Sequence, residues 1–68
     1  MTLDDAMLRL RGAILRARLI HPTSDLTALV SEVAELGYEL KNGSAARIRA
    51  EAIDVAVVAI RIALGETK

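Results

Sequence analysis

Sixty-eight residues make one small domain, and a chain of this length buries only about 60% of its unfolded surface. It has no cysteine and a single histidine, so a disulfide framework and a structural zinc site are both excluded, along with thiol chemistry. Nine basic and nine acidic side chains cancel, and Tyr38 is the only aromatic residue. General nucleic-acid binding is therefore not expected, because no cation surplus displaces counterions from phosphates and no platform stacks on bases.

The spacing predicts a first helix over about Leu3–Ile20, ended by His21-Pro22, where proline has no N–H to donate and biases its predecessor away from the helical region. At about 100° per residue this helix carries two apolar stripes. One is Leu3, Met7, Leu10, Ile14 and Ala17; the other is Leu8, Leu15 and Leu19. A helix with two apolar faces needs two neighbours. Gly12 in its middle costs about 1 kcal/mol relative to alanine, and marks either a close approach or a tolerated weak point.

A second helix is predicted over about Asp25–Lys41. Leu26, Leu29, Val30, Val33, Leu36 and Leu40 form its apolar stripe, with Glu32, Glu35 and Glu39 along an adjoining row. Asn42-Gly43-Ser44 then provides residues that accept left-handed backbone angles, followed by a cap for the next helix. The third helix, about Ala45–Leu64, ends at Gly65 and is apolar almost all round, so it calls for cover on every side. The other two helices of so short a chain cannot surround it. An all-α fold that assembles as a homodimer or homotetramer, a helical bundle built over residues 1–68 as one domain, is the expectation.

The most apolar stretch, Ala50 to Leu64, contains Glu51, Asp54 and Arg61, and its uncharged run from Val55 to Ile60 is far short of the roughly 20 residues that span a bilayer. No membrane helix is expected. Thr2-Leu3-Asp4-Asp5 has neither the basic region nor the cleavage site of a secretory signal, so a cytoplasmic protein is expected.

The short turn between the second and third helices predicts an antiparallel hairpin folded about Gly43. Glu35 then lies level with Glu51, Glu32 with Asp54, and Glu39 with Arg47. Within each helix the i, i+3 spacing puts both acids on one face. Four carboxylates at one height, two of them on an otherwise hydrophobic helix, cannot all stay ionised uncompensated. Oxygen ligands of this kind suit Mg²⁺ or Mn²⁺. The alternative is a buried ion-pair network with Arg47 and Arg61, which share the stripe of Glu51 and Asp54. A ferritin-like di-iron site would need Glu-x-x-His ligands, and His21 is in the wrong place for one.

Ser31-Glu-Val-Ala-Glu-Leu36 followed by Glu51-Ala-Ile-Asp-Val55 resembles the Glu-x-x-Glu…Glu-x-x-Asp signature of the all-α nucleoside triphosphate pyrophosphohydrolases, the MazG-like and dimeric dUTPase superfamily. The resemblance spans about His21 to Leu64. It implies a dimer or dimer of dimers and Mg²⁺-dependent cleavage of a (deoxy)nucleoside triphosphate to the monophosphate and pyrophosphate. By position, Glu32, Glu35, Glu51 and Asp54 become the metal ligands and catalytic carboxylates. Lys41, Arg47, Arg49 and Arg61 are the local candidates for holding phosphate oxygens, with helix 1 arginines as a further source. The competing expectation is a non-catalytic helical oligomerisation or regulatory module whose carboxylate site is vestigial.

Overall fold

A computed structural model describes residues 1–67, which form three α-helices and no strand: α1 (Leu3–Ile20), α2 (Leu26–Asn42) and α3 (Ala45–Ala63). Each helix starts on a side chain that accepts from an otherwise unpaired N–H of the first turn. Thr2 Oγ1 accepts from Asp5 N at 3.1 Å while the Asp5 carboxylate accepts from Thr2 N at 3.3 Å, a reciprocal capping box. Asp25 accepts from Ala28 N at 3.0 Å, and Ser44 from Arg47 N at 3.3 Å. Asp25 thus caps α2 rather than opening it, and Leu64 closes α3 instead of belonging to it.

Gly65 adopts the left-handed region at φ 79° and stops α3 as predicted. Gly43 does not. Its φ of −94° and ψ of 172° are extended, so the turn needs no left-handed residue. Glycine serves there for room: a Cβ would lie 2.9 Å from the Glu39 carbonyl oxygen and would overlap the Glu39 carboxylate.

α3 is the central element, with α1 and α2 each packed on it and not on each other. The second neighbour that the stripes of α1 call for is therefore missing within the chain. Leu10, Ile14 and Ala17 are partly covered, whereas Leu8 and Leu19 remain 73% and 86% exposed. α2 is also rotated from the expected setting. Leu29 and Leu36 turn toward α3, but so do Glu32 and Glu39, while Leu26, Val30, Val33 and Leu40 face outward. Val57, 6% exposed, is the only buried hydrophobic residue among those described. No helix among the described residues is long and apolar enough to cross a membrane.

A polar latch ties the α1–α2 connection to the residues after α3. Arg61, 2% exposed, donates from Nη2 to the His21 carbonyl at 2.6 Å and from Nε to Glu66 Oε1 at 2.9 Å. Arg18, at the end of α1, donates to both carboxylate oxygens of Glu66. The Glu66 carbonyl accepts from the N–H of buried Ser24 at 2.7 Å, and the Ser24 hydroxyl donates to the Val58 carbonyl. Two arginines hold the Glu66 carboxyl well below its ordinary value, down to about 2, Arg18 being the larger influence.

Candidate metal centre

The α2–α3 hairpin has the register expected of its short turn: Arg47 and Glu39 approach to 4.0 Å near the closed end. One antiparallel step further along, Glu32 and Glu35 from α2 meet Glu51 from α3, with a carboxylate oxygen of each inside a common 4.8 Å. Glu32 and Glu51 are half-buried and Glu35 is exposed. Asp54 lies beyond this trio, exposed at its edge. The structure thus converges three of the four expected carboxylates and leaves the fourth beside them.

No arginine or lysine among the described residues pairs with the trio. Among the described residues the ion pairs are Arg18–Glu66, Arg61–Glu66 and the loose Arg47–Glu39 contact. The alternative to a metal, an ion-pair network of Arg47 and Arg61 with Glu51 and Asp54, is therefore absent among the described residues. The physical reason lies at the other end of the guanidinium: Arg61 reaches His21 and Glu66, away from the cluster. Engaged on both sides and buried, it offers no exposed face to a phosphate. Arg47 remains accessible, its side chain 73% exposed, and Lys41 and Arg49 are exposed as well.

The carboxyls respond as uncompensated acids do. Glu32 is pushed up to about 7, first by burial and then by the charges of Glu35, Asp54 and Glu51. Glu51 is raised by burial and by Glu35, and Asp54 by the same two influences. Glu32 Oε2, Glu51 Oε2 and Glu39 Oε2 are buried without a hydrogen-bond partner. A native fold rarely leaves acceptors in this condition, and a hard divalent cation is the partner that satisfies several carboxylate oxygens at once. The donor set fits Mg²⁺ or Mn²⁺ on these two grounds.

Glu39, one turn from the trio, makes the contact with Arg47 expected of its level and also keeps one oxygen buried without a partner.

Because α1 and α2 do not touch, a cleft of about 720 Å³ opens between them. α3 forms its floor, and Glu32 and Asp54 stand on its wall with Thr27, Ser31 and Arg16. Its size falls in the roughly 300–1,000 Å³ range of small-molecule sites. No family model, no curated protein and no solved structure matches the chain.

Proposed function

We propose that this chain is a Mg²⁺- or Mn²⁺-dependent nucleoside triphosphate pyrophosphohydrolase, forming nucleoside monophosphate and pyrophosphate. The observation that carries the reading is the meeting of Glu32, Glu35 and Glu51 within 4.8 Å with no ion-pair partner among the described residues. The resemblance of the paired acidic motifs to the MazG-like superfamily supplies the reaction, and the adjoining cleft supplies space for a nucleotide.

In this reading Glu32, Glu35 and Glu51 hold the cation, and Asp54 completes the set from the cleft side. When bound, the ion supplies Lewis-acid polarisation of phosphate oxygen and a lowered pKa for water. Water adds across the α,β-anhydride: its oxygen ends on one phosphorus, the bridging oxygen leaves with the other, and the released proton passes to a carboxylate. That role is assigned to a member of the cluster, whose carboxylates would lie beside the ion; the chain has no cysteine, and His21 lines the cleft without belonging to the cluster. Arg47, exposed near the closed end of the hairpin, is assigned to phosphate oxygens in this reading, with Lys41 and Arg49 nearby in sequence.

The reading includes a homodimer, or a dimer of dimers. A monomer of 7.3 kDa exposes about 4,200 Å² on the usual scaling, whereas this chain exposes 4928 Å². The excess, about 700–800 Å², is close to the ~800 Å² that each partner contributes to an interface of standard size. Exposed apolar side chains available to such an interface include Leu8, Leu15 and Leu19 of α1 and Leu26, Val30 and Val33 of α2.

A hydrolysis panel tests the function: protein with Mg²⁺ or Mn²⁺, standard and modified nucleoside triphosphates, products separated by chromatography. Monophosphate plus pyrophosphate is the expected outcome. Absence of turnover in a folded, metal-loaded oligomer would replace this reading with the helical-module one. Metal dependence of the melting temperature separates the two further, because a cation bound only to the folded site at 100 times its Kd adds about 2.7 kcal/mol.

A further inference from the structure

α2 presents an unbroken apolar stripe to solvent. Leu26, Val30, Val33 and Leu40 are between 50% and 72% exposed. With Gly37 they recur at alternating spacings of four and three residues, the seam of a helix that pairs with another helix. At about 100° per residue, Glu32, Glu35 and Glu39 fall about 120° or more from the centre of that stripe. No charge interrupts it between Leu26 and Leu40.

Gly37 distinguishes this seam from a merely uncovered surface. A glycine inside a helix costs about 1 kcal/mol relative to alanine. The space left by Gly12 in α1 has an occupant, since Arg16 Nη1 lies 3.2 Å from where a Cβ would be. At Gly37 a Cβ would meet nothing within 4 Å. Nothing inside the chain asks for that hollow, and it lies within the stripe that a second helix would cover.

A copy of α2 fits it. Set antiparallel about Val33, the helix brings Leu26 level with Leu40 of the second copy, Val33 level with its own counterpart, and Val30 against the hollow of Gly37. Such self-complementarity is what a two-fold axis requires. α1 offers no equivalent: Arg9 and Arg16 flank one edge of its Leu8–Leu15–Leu19 stripe and Arg11 and Arg18 the other, so two copies pairing there would crowd guanidiniums together. The exposed area is also sufficient. The chain exposes about 700–800 Å² more than a monomer of its mass, close to one partner's share of a standard interface.

We infer that the outward face of α2 is a homodimer interface, an antiparallel α2–α2 pair with its two-fold axis at Val33, and that each chain keeps its own carboxylate cluster away from that seam. This gives the homodimer of the proposed function its face, and it rests on that part of the reading alone, not on metal or nucleotide.

Sedimentation equilibrium of the full chain in EDTA tests it, with circular dichroism reporting helix content. Wild-type protein is expected to be a dimer. Val33→Glu should raise the dimer dissociation constant by about 100-fold or more, because two like charges then face each other at the axis, and Val33→Lys should do the same. Mixing the two variants should restore a dimer with one chain of each, the signature of residue 33 opposing itself. That step holds even where a variant alone loses helix, since the restored dimer restores both. Leu26→Glu and Leu40→Lys should each weaken the dimer, and the double variant should recover it, because antiparallel pairing sets each new acid against a new base. Parallel pairing would set like against like.

A monomeric wild-type chain, a dimer indifferent to Val33→Glu, residue 33 variants that do not recombine, or a double variant no tighter than either single one overturns the inference. A dimer that behaves as expected but turns over no nucleotide removes the hydrolase reading and leaves the interface standing. Turnover by a monomeric wild-type chain does the reverse.

Discussion

The molecule has two contrasting carboxylate environments, one in the α2–α3 hairpin and one at the C-terminal end of α3, and it treats them in opposite ways. At the latch, one acid, Glu66, receives two arginines and its carboxyl is held down to about 2. At the hairpin, three acids converge with no arginine between them, and Glu32 is pushed up to about 7. The zero net charge of the chain conceals this allocation. Cations are plentiful enough to neutralise the hairpin, and the fold places two of them on Glu66 instead. A carboxylate so paired ties backbone segments together. Carboxylates gathered without a partner cost stability, and a divalent cation would relieve that cost.

The sharpest way to break this comparison is to neutralise the hairpin acids one at a time. Glu51→Gln and Glu32→Gln should each lower kcat/KM for the best nucleotide by about 1,000-fold or more, close to 4 kcal/mol of barrier. Both should leave the apo fold intact, with a melting temperature equal to wild type or about 2–5 °C higher, since a repulsive charge has gone. A clear loss of stability in the metal-free protein would mean that these acids are structural after all.

The latch should respond in the reverse sense. Arg61→Met removes a guanidinium that bonds both His21 and Glu66 from a buried position. The expected loss is about 3 kcal/mol, a drop of more than about 10 °C in a domain of this size. Metal affinity of whatever remains folded should be unaltered. Arg18→Met should cost much less, because that side chain is 44% exposed and exposed pairs contribute little.

A pH series on the apo protein separates the two environments without mutation. Glu32 has its folded value raised from 4.5 to about 7, so in that window the folded state holds more proton than the unfolded one. Its contribution to stability falls as pH rises from about 4.5 to 7 and is constant above. Glu66 has its folded value lowered from 4.5 to about 2, so its contribution is complete above about 4.5 and is lost as pH falls toward 2. Melting temperatures should accordingly decline on the neutral side of pH 5 in EDTA. Saturating Mg²⁺ should abolish that decline and leave the acid limb unchanged.

Much of this arrangement was legible in the chain. Pro22, the Asn42-Gly43-Ser44 run and Gly65 punctuate three helices, whose ends fall within a residue of where the breakers and caps put them. The short second turn also sets the hairpin register, because two helices joined so closely have few ways to pair. The rotation of α2 was not legible. Amphipathicity assigns Val30 and Val33 to the core, yet they face outward, since nothing in a single chain's periodicity says whether its apolar stripe is satisfied within the chain or by a copy. The role of Arg61 was hidden for a different reason. Its partners come from the α1–α2 connection and from the residues after α3, and helical periodicity carries no information about either.

The smallest expected effect concerns the turn that joins the acids. Gly43 and Gly37 both belong to the α2 end of the hairpin, and a Cβ at Gly37 would meet nothing within 4 Å. Gly37→Ala should therefore stabilise α2 by about 0.5–1 kcal/mol. At Gly43 the same methyl group meets the Glu39 carbonyl at 2.9 Å and the Glu39 carboxylate besides. Backbone cannot give way as a side chain can, so Gly43→Ala should cost about 1 kcal/mol and displace a carboxylate whose Oε2 is buried and unpartnered. If Glu39 belongs with the binding acids, Mn²⁺ affinity should fall with it by a factor of about three. An unchanged affinity would restrict the site to Glu32, Glu35 and Glu51 and make Glu39 the mere partner of Arg47.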